Sequence, residues 1–475
     1  MPKETKKSSR KLKREENKDN ENIPEIEQEN KEEKIIKNPD YIPLYSSLNE
    51  TEKNIFDGEP SIKFSSNIDY PRMSLGFQHF IHQSKGKMEI LKEYENKKKV
   101  YLVLNEFERY IDNYEDSIGN SSKTYFGLGK EKPDILSRGF YKLWEILMTY
   151  DLIDIENKSF VSAHLAEGLG SFIQATMFFR EKFSKYWKDD QYYAVTLHPE
   201  DEGKHVPELE KNFVNYYAKE KPQRFILHKT YPKQVAGGSS DKDNGDITDP
   251  KTIMLFGGDM REKADFITAD GGFEWGNENI QEQEAFRLIF GQIVGAIMNQ
   301  KKGGHFVCKF FETFTMTSVK FLAILRACYN KVEVIKPLTS RISNSEKYYV
   351  CMDFKFNDKD KEFKEISKKL IDILKEIHSE QKLKIVDIFS DFNADDKFLH
   401  PIINMNVLIE NKQFKAVNEI KTFLDAQNFY GDKYQMSRQK QINASKFWIN
   451  HFLPEDTKNL PKLREKIQKY FYMIK

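Results

Sequence analysis

The sequence has few cysteines, and none of them lies in a metal-binding motif. Its 475 residues include three cysteines, Cys308, Cys328 and Cys351, and none belongs to a Cys-x-x-Cys motif or accompanies a pair of histidines. Each cysteine lies in an apolar stretch, which predicts buried thiols in a reducing compartment. A zinc site is therefore not expected, and no metal is predicted.

The chain also lacks a long hydrophobic run and a net charge. No stretch reaches about 18 consecutive apolar residues, the length that predicts a membrane helix, and no signal peptide opens the chain, so no membrane partner is expected. With 75 basic and 74 acidic residues the formal charge is +1. This balance argues against a uniformly basic coat for nucleic acid but allows local basic patches.

Residues 264–309 have the pattern of a parallel α/β sheet. The apolar strand DFITA ends at Asp270, a helix fits residues 277–300, and a buried strand at 305–308 leads into Lys309. Parallel sheets bind ligands at the carboxyl ends of their strands, so Asp270 and Lys309 are expected over one crevice. The alternative is that Asp270 caps a turn and Lys309 is a solvated strand end.

Four motifs together resemble a known family. SRGFYKLWEI places Lys142 on a helix, TADGGFEW contains Asp270, GGHFVCKFFETFT contains Lys309, and TSRISNSEKYYVC places Glu346 before an apolar strand. In this order they resemble the FtsJ-like ribose 2'-O-methyltransferases, particularly the mRNA cap branch, over residues 137–354. The family's Lys–Asp–Lys–Glu tetrad would fall on Lys142, Asp270, Lys309 and Glu346. The resemblance implies an α/β, Rossmann-like fold with a seven-stranded, mostly parallel sheet and flanking helices.

A turn after the strand at 160–165 is the expected cofactor site. Small residues let a ligand approach the backbone, and a helix N-terminus offers free N–H groups. HLAEGLGSF resembles the family's first motif, with Leu169 where Pro is usual and Ser171 where Gly or another small residue is usual. The resemblance implies that S-adenosylmethionine (SAM) is held by Glu167, Gly168, Gly170, Ser171 and Asp270.

A second cofactor contact is expected at residues 245–249, GDITD. This segment resembles the family segment whose acidic residue reaches the adenine amino group, which implies that role for Asp246, beside Ile247. The alternative is a turn followed by a helix cap. Residues 198–242 are expected to form a long polar insertion that either covers an RNA groove or is a surface loop.

The tetrad implies an in-line methyl transfer to a ribose hydroxyl, dominated by orientation. Lys309, with its pKa lowered by enclosure and by Lys142, would take the proton; stabilising the developing oxyanion is the alternative role. Glu346 would orient either lysine, and Asp270 would position the lysine and attract the sulfonium. A 2'-hydroxyl acceptor implies RNA.

The residues expected to contact RNA lie close to the tetrad residues in the sequence. Phe140, Tyr141, Trp144 and Trp275 are candidate aromatics for stacking on a cap guanine, without an assigned pocket. Arg138 and Arg341 are expected to contact phosphate groups of the RNA. The full set of predicted RNA-binding residues is Arg138, Tyr141, Arg341, Ser343 and Asn344.

The predicted function is SAM-dependent cap 2'-O-methylation (cap 1 type) of capped mRNA, with other capping or transcription proteins as further partners. The alternatives are methylation of ribosomal or transfer RNA, and a weak or inactive RNA-binding subunit of a capping assembly. The Lys-, Asn- and Ile-rich composition indicates an AT-rich genome, such as that of a large DNA virus or a protist. A cytoplasmic location, including a viral factory or virion, is therefore expected, with the nucleus as the alternative.

The composition divides the chain into four regions. Residues 1–38 form a charged tail that cannot bury enough apolar surface to order itself; its basic cluster at 6–14 is read as a solvated segment, an RNA-binding arm or a nuclear address. Residues 39–133 are expected to form a helical module, residues 134–355 the methyltransferase domain, and residues 356–475 a mainly helical region with an apolar stripe along residues 363–377.

Overall fold

A computed structural model of the protein describes residues 44–69, 73, 75–87, 100–129, 132–197, 209–220, 225–227, 245–272, 278–426, 429–455 and 457–472. The predicted charged tail and Trp275 lie outside these residues. Residues 41–475 belong to one compact unit. The boundaries expected at 133 and 355 stay a prediction.

A mixed sheet forms the centre of the described residues. Its strand order is β1-β8-β9-β7-β6-β3-β4-β5, and β2 pairs with β10 in a separate two-stranded sheet. The strands are β1 (Leu44–Ser47), β2 (Ile62–Ser65), β3 (Val161–Leu165), β4 (Gln191–Val195), β5 (Phe225–Leu227), β6 (Ala264–Ala269), β7 (Gln300–Phe310), β8 (Tyr329–Lys336), β9 (Lys347–Phe354) and β10 (Lys384–Ile388).

In the order of the sheet, the neighbouring strands β5, β4, β3, β6 and β7 are all parallel. Strand β9 lies between β7 and β8 and is antiparallel to both. All five residues of β3 are buried, as expected for a strand covered by helices on both faces. The helices are α1 (Leu75–Lys87), α2 (Val100–Leu104), α3 (Ile118–Tyr125), α4 (Arg138–Thr149), α5 (Ser171–Phe183), α6 (Lys211–Glu220), α7 (Pro250–Asp259), α8 (Gln281–Glu284), α9 (Phe286–Asn299), α10 (Met316–Cys328), α11 (Lys361–Ser379), α12 (Asp396–Asp425), α13 (Asp432–Phe452) and α14 (Leu460–Tyr472).

Seven of the strands confirm the Rossmann-like sheet that the sequence predicts, with β9 as the antiparallel member. The eighth, β1, comes from the region expected to be helical and pairs antiparallel with β8, Leu44 opposite Lys336. Strand β2, from the same region, pairs with β10. This region therefore contributes strands as well as helices, because its short apolar segments complete open sheet edges elsewhere in the chain.

The segment at 198–242 differs from the expected loop. Its described parts contain α6 and β5, and β5 pairs in parallel with β4. Parallel neighbours need a crossover connection, which α6 provides. The segment thus supplies one of the seven strands and its connecting helix.

The C-terminal helices pack as the sequence predicts. The apolar stripe of α11 is buried, and Trp448 of α13 is fully buried. All three cysteines are buried free thiols. Among the described residues, no helix is both long and apolar enough to cross a membrane.

Candidate active site

Asp270 and Lys309 form an ion pair at the carboxyl ends of β6 and β7. Ala269 is paired with Cys308 in the parallel register, so the residues that follow them are neighbours. The Nζ atom of Lys309 lies 3.1 Å from Oδ1 of Asp270 and donates to the backbone oxygen of Asp270 at 2.8 Å. The pair is mostly buried, so the alternative of a solvated strand end for Lys309 is wrong.

Lys142 and Glu346 form a second ion pair, 2.7 Å long, between α4 and the residue before β9. Ser137 caps α4 by accepting from the backbone N–H of Gly139. The hydroxyl of Ser340 donates to Oε1 of Glu346 at 2.8 Å. Of the two lysines that Glu346 was expected to orient, it contacts Lys142.

Tyr348 joins the two pairs. Lys309 and Tyr348 are opposite each other in the antiparallel register of β7 and β9, and the Tyr348 hydroxyl donates to Oδ1 of Asp270 at 3.1 Å. Tyr348 was not among the site residues predicted from the sequence. Its signal was the two-residue period of strands, which directs Glu346 and Tyr348 to the same side.

The charges around Lys309 differ from the expectation. Burial alone would lower its pKa, but the carboxylates of Asp270 and Glu346 outweigh burial and raise the pKa above its ordinary value. The prediction of a lowered pKa is therefore wrong for the site without ligands. Burial likewise opposes ionisation of Glu346, yet Lys142 and Lys309 hold its pKa well below the usual range.

The turn between β3 and α5 carries a buried carboxyl group. Gly170 has φ +95°, a conformation that glycine adopts without steric cost, and α5 begins at Ser171. Oε1 of Glu167 accepts from the backbone N–H of Phe172 at 3.2 Å, whereas Oε2 is buried and has no hydrogen-bond partner within the described residues. Burial, and then the charge of Asp270, raise the pKa of Glu167 to about 8.

Three of the expected segments meet around Gly139. A Cβ atom there would lie 3.1 Å from Cβ of Ser171 and 3.5 Å from Oδ2 of Asp270. The hydroxyls of Ser137 and Ser171 are 2.7 Å apart. The start of α4, the turn before α5 and the end of β6 therefore converge, as the resemblance implies.

Asp246 closes a turn. Its Oδ1 accepts from the backbone N–H of Thr248 at 2.9 Å and from the Thr248 hydroxyl at 2.7 Å, and Asp249 caps α7. A Cβ atom on Gly291 of α9 would lie 2.7 Å from the carbonyl oxygen of Ile247. The turn and cap expected as the alternative are thus present, and the adenine contact stays a prediction.

A cleft of about 630 Å³ opens beside the two ion pairs. Lys142, Asp270, Ser137 and Gly139 line one end. The lining side chains of the remaining wall come from α2, the segment after α2, α4, the β8–β9 loop and α13: Leu102, Val103, Glu108, Arg109, Tyr110, Asp112, Arg138, Arg341 and Arg438. The contributions of α2, the segment after it and Arg438 were not predicted from the sequence, because only the tertiary fold brings them here.

The cleft alternates basic and acidic groups. Glu108 accepts from Arg138 at 2.5 Å and lies 3.5 Å from Arg341, and Asp112 pairs with Arg438 at 2.7 Å. The exposed ring of Tyr110 lies under the guanidinium of Arg109, 5.2 Å from its centroid. A cleft with cationic groups and an exposed aromatic ring suits a nucleic-acid strand.

The predicted RNA-binding residues have different surroundings. Tyr141 is 1% exposed and packs edge-on against Trp448, so its assignment to RNA is wrong: the helix directs it into the core. Phe140 and Trp144 are fully buried as well. Arg138 and Arg341 line the cleft. Asn344 accepts from Lys336, and the backbone oxygen of Ser343 accepts from Gln413.

The strand order, the antiparallel β9 and a charged site at the carboxyl ends of the parallel strands define the class: a Rossmann-like methyltransferase fold. Residues 135–354 match the family model described as FtsJ-like methyltransferase. This segment is therefore an FtsJ-like methyltransferase domain.

The similar curated proteins described below carry the name cap-specific mRNA (nucleoside-2'-O-)-methyltransferase. The chain is 33% identical over 216 residues to cap-specific mRNA (nucleoside-2'-O-)-methyltransferase 1 of Caenorhabditis elegans, covering 44% of this chain and 23% of that protein. It is 30% identical over 246 residues to the mouse protein of the same name, covering 50% and 28%. A Caenorhabditis briggsae relative named as inactive is also 30% identical, over 48% of this chain and 27% of that protein. The chain thus spans about a quarter of the length of these relatives.

A putative ribosomal RNA methyltransferase from Plasmodium falciparum is among the similar solved structures. It is 18% identical, with a TM-score of 0.30, and the match covers 47% of this chain and 100% of that chain.

Proposed function

We propose that the protein transfers a methyl group from SAM to the 2'-hydroxyl of a cap-proximal nucleotide in capped mRNA, giving a cap 1 type product. The observation that carries this proposal is the pair of Lys–carboxylate contacts at one sheet edge, Lys309–Asp270 and Lys142–Glu346, beside a cleft lined by both basic and acidic side chains. The names of the curated relatives support the substrate class.

The turn before α5 fits SAM. The unpartnered oxygen of Glu167 and the carboxylate of Asp270 suit the cationic parts of that cofactor, and α5, with Gly170 at its N-cap, begins without a side-chain cap. When bound, SAM supplies an electrophilic methyl group on a sulfonium.

Lys309 would act on the ribose hydroxyl. In this proposal Asp270 holds the ammonium through its carboxylate and its backbone oxygen, and Tyr348 fixes the carboxylate in turn. A cation bound beside Asp270 would weaken the electrostatic support for the charged lysine and lower its pKa, which favours the neutral amine that accepts a proton. The charged form would instead stabilise the developing oxyanion, the second role.

The cleft beside Lys142 is the proposed path of the RNA. Tyr110 is the exposed aromatic ring available for stacking on a base, and Arg109, Arg341 and Arg438 are the nearby cations for phosphates. Because Glu108 and Asp112 already pair with arginines, phosphate binding would have to displace or share these contacts.

The decisive experiment measures methyl transfer from radiolabelled SAM to matched RNAs that carry a cap, a 5'-triphosphate or a cap whose first nucleotide already bears a 2'-O-methyl group. Transfer to the capped RNA alone is the expected result. Equal transfer to capped and uncapped RNA would favour a ribosomal or transfer RNA substrate. No transfer to any RNA, with RNA still bound, would favour an inactive subunit, as the name of the inactive relative suggests for that protein.

A further inference from the structure

The loop that carries Glu346 is held by a buried lysine. Lys336, the last residue of β8, is 2% exposed. Four oxygens surround its Nζ atom: the backbone oxygen of Glu346 at 2.6 Å, the backbone and side-chain oxygens of Asn344 at 2.9 Å each, and the hydroxyl of Ser340 at 3.3 Å. The ammonium of Lys336 therefore connects residues 344 and 346 of the β8–β9 loop to the end of β8.

These bonds also direct a hydroxyl group toward Glu346. When Lys336 donates to the oxygen of Ser340, the Ser340 hydroxyl proton is free to point elsewhere, and it donates to Oε1 of Glu346 at 2.8 Å. Glu346 in turn accepts from Lys142. A continuous hydrogen-bonded chain thus runs from Lys336 through Ser340 to the ion pair in the cleft.

The opposite part of the loop is fixed separately. Glu145 of α4 is buried and accepts from the backbone N–H groups of Leu338 and Thr339 at 2.7 and 2.9 Å, and from the indole of Trp448 at 2.9 Å. Glu145 therefore anchors the start of the loop. Lys336 anchors the part that places Glu346.

A lysine at this position has an electrostatic cost. Burial lowers the pKa of Lys336 to about 7, although Glu346 and Glu410 favour its charge, while Lys347 and Lys142 oppose it. A methionine of similar length would avoid that cost but would leave the oxygens of Asn344 and Glu346 without their donor, so the hydrogen bonds of Lys336 are what hold the loop.

We propose, on the basis of the proposed function, that Lys336 is a positioning residue for methyl transfer: it orders the β8–β9 loop so that Glu346 stays bonded to Lys142. In the hydrogen bonds described above, the partners of Lys336 are residues of the loop and the backbone of Glu346. Its effect on the site therefore acts through Glu346. Misplacement of a reacting group by about 1 Å can cost on the order of 100-fold in rate.

The test compares Lys336→Met with a matched control, Lys320→Met. Lys320 of α10 is also buried, and it pairs with Asp387 at 2.6 Å, outside the site. Lys336→Met should lower kcat for methyl transfer by about 10- to 100-fold with little change in the Kd for SAM, whereas Lys320→Met should keep kcat. Equal kcat losses in the two variants, or a loss confined to thermal stability, would overturn the proposal.

Coupling to Glu346 separates positioning from a general structural effect. In a Glu346→Gln background, Lys336→Met should lower kcat by less than about twofold, because groups that act as a unit are not additive. Full additivity would overturn the proposal. If Lys336→Met does not fold, Ser340→Ala replaces it in the test. Ser340→Ala should lower kcat in the wild-type background but not in the Glu346→Gln background. Additive losses of kcat in that double variant would also overturn the proposal.

The assay of the wild-type protein separates a failure of the proposed function from a failure of the positioning role. A wild type without methyl transfer to any RNA contradicts the proposed function. A wild type that is active, with Lys336 and Ser340 uncoupled from Glu346, contradicts only the positioning role.

Discussion

At the scale of single residues, Lys309 carries the most specific prediction. Lys309→Ala should lower methyl transfer by about 10²- to 10⁴-fold, the usual contribution of a general acid–base group, with SAM binding near normal by calorimetry. Lys309→Arg should not restore the rate, because a guanidinium stays protonated and has a different shape. Lys301→Ala is the control, since Lys301 lies on the same strand in an exposed ion pair with Asp265. A Lys309→Ala enzyme of normal activity would exclude the role.

The two roles left open for Lys309 differ in their pH dependence. The pKa of Lys309 is raised above its ordinary value, so a base would become more available as pH increases up to that raised pKa. The value of kcat/KM, which reports the pKa values of the free enzyme, should then rise steadily from neutral to alkaline pH. A value that is flat and then falls would instead identify the charged lysine as the group that stabilises the oxyanion.

The affinity for SAM should depend on pH through the ionisation of Glu167. With a pKa of about 8, the carboxyl is protonated at neutral pH and must ionise to attract a cation, so SAM affinity should increase as pH rises toward 8, by up to about tenfold per pH unit. Calorimetry at several pH values checks this. Glu167→Gln should bind SAM more weakly at pH 8 and lose the pH dependence; an unchanged profile would remove Glu167 from the cofactor site.

The same carboxyl affects stability with a defined sign. Its pKa in the folded protein, about 8, lies above the ordinary glutamate value of 4.5, so the folded state binds the proton more strongly. Its contribution to the free energy of unfolding is therefore fully present below about pH 4.5 and is lost as pH rises through about 8.

At the scale of elements, the turn between β3 and α5 depends on one glycine. Gly170→Ala should destabilise the protein by about 1–2 kcal/mol, because φ +95° brings a Cβ atom into steric conflict with its own backbone. SAM affinity should fall as well. Gly258→Ala in α7 is the control, since its Cβ would meet nothing within 4 Å. Equal unfolding free energies for both variants would contradict this account.

The sequence predicts the elements that its local pattern specifies. Strands β3, β6, β7 and β9 are apolar runs followed by turns or charged residues, so the positions of Asp270, Lys309 and Glu346 could be inferred from strand ends. The pairings of β1 with β8 and of β2 with β10 join residues about 300 positions apart. No local periodicity encodes such a pairing, and for the same reason the cleft contribution of Arg438 could not be predicted.

The error at Tyr141 has a related cause. The sequence placed Tyr141 one residue before Lys142, and proximity along the chain suggested proximity to the site. In a helix, neighbouring side chains point about 100° apart, so Tyr141 enters the core while Lys142 faces the cleft. Helical direction, rather than sequence distance, decides which neighbour is functional.

At the scale of the whole molecule, residues 356–475 should be required for a stable methyltransferase domain. Trp144 of α4 donates to the backbone oxygen of Phe452 at 2.6 Å, and Trp448 covers Glu145 and Tyr141. Exposing several large apolar side chains, each worth about 1.5–3 kcal/mol, would exceed much of a typical stability of about 5–15 kcal/mol. A fragment of residues 134–355 should therefore lack a cooperative thermal transition by circular dichroism.

The matched fragment for this experiment contains residues 41–475, which belong to one compact unit. It should unfold cooperatively near the temperature of the full chain. A cooperative transition in the 134–355 fragment, with SAM binding retained, would contradict the requirement for the C-terminal helices.

The pairing of β1 with β8 has a consequence for synthesis on the ribosome. Residues 44–47 leave the ribosome before their partners at 333–336, which are made about 290 residues later. At about 5–20 residues per second, the first strand would wait roughly 15 to 60 seconds for its partner. During that interval its backbone donors and acceptors are available to other nascent chains, and protection by chaperones would matter most at this stage.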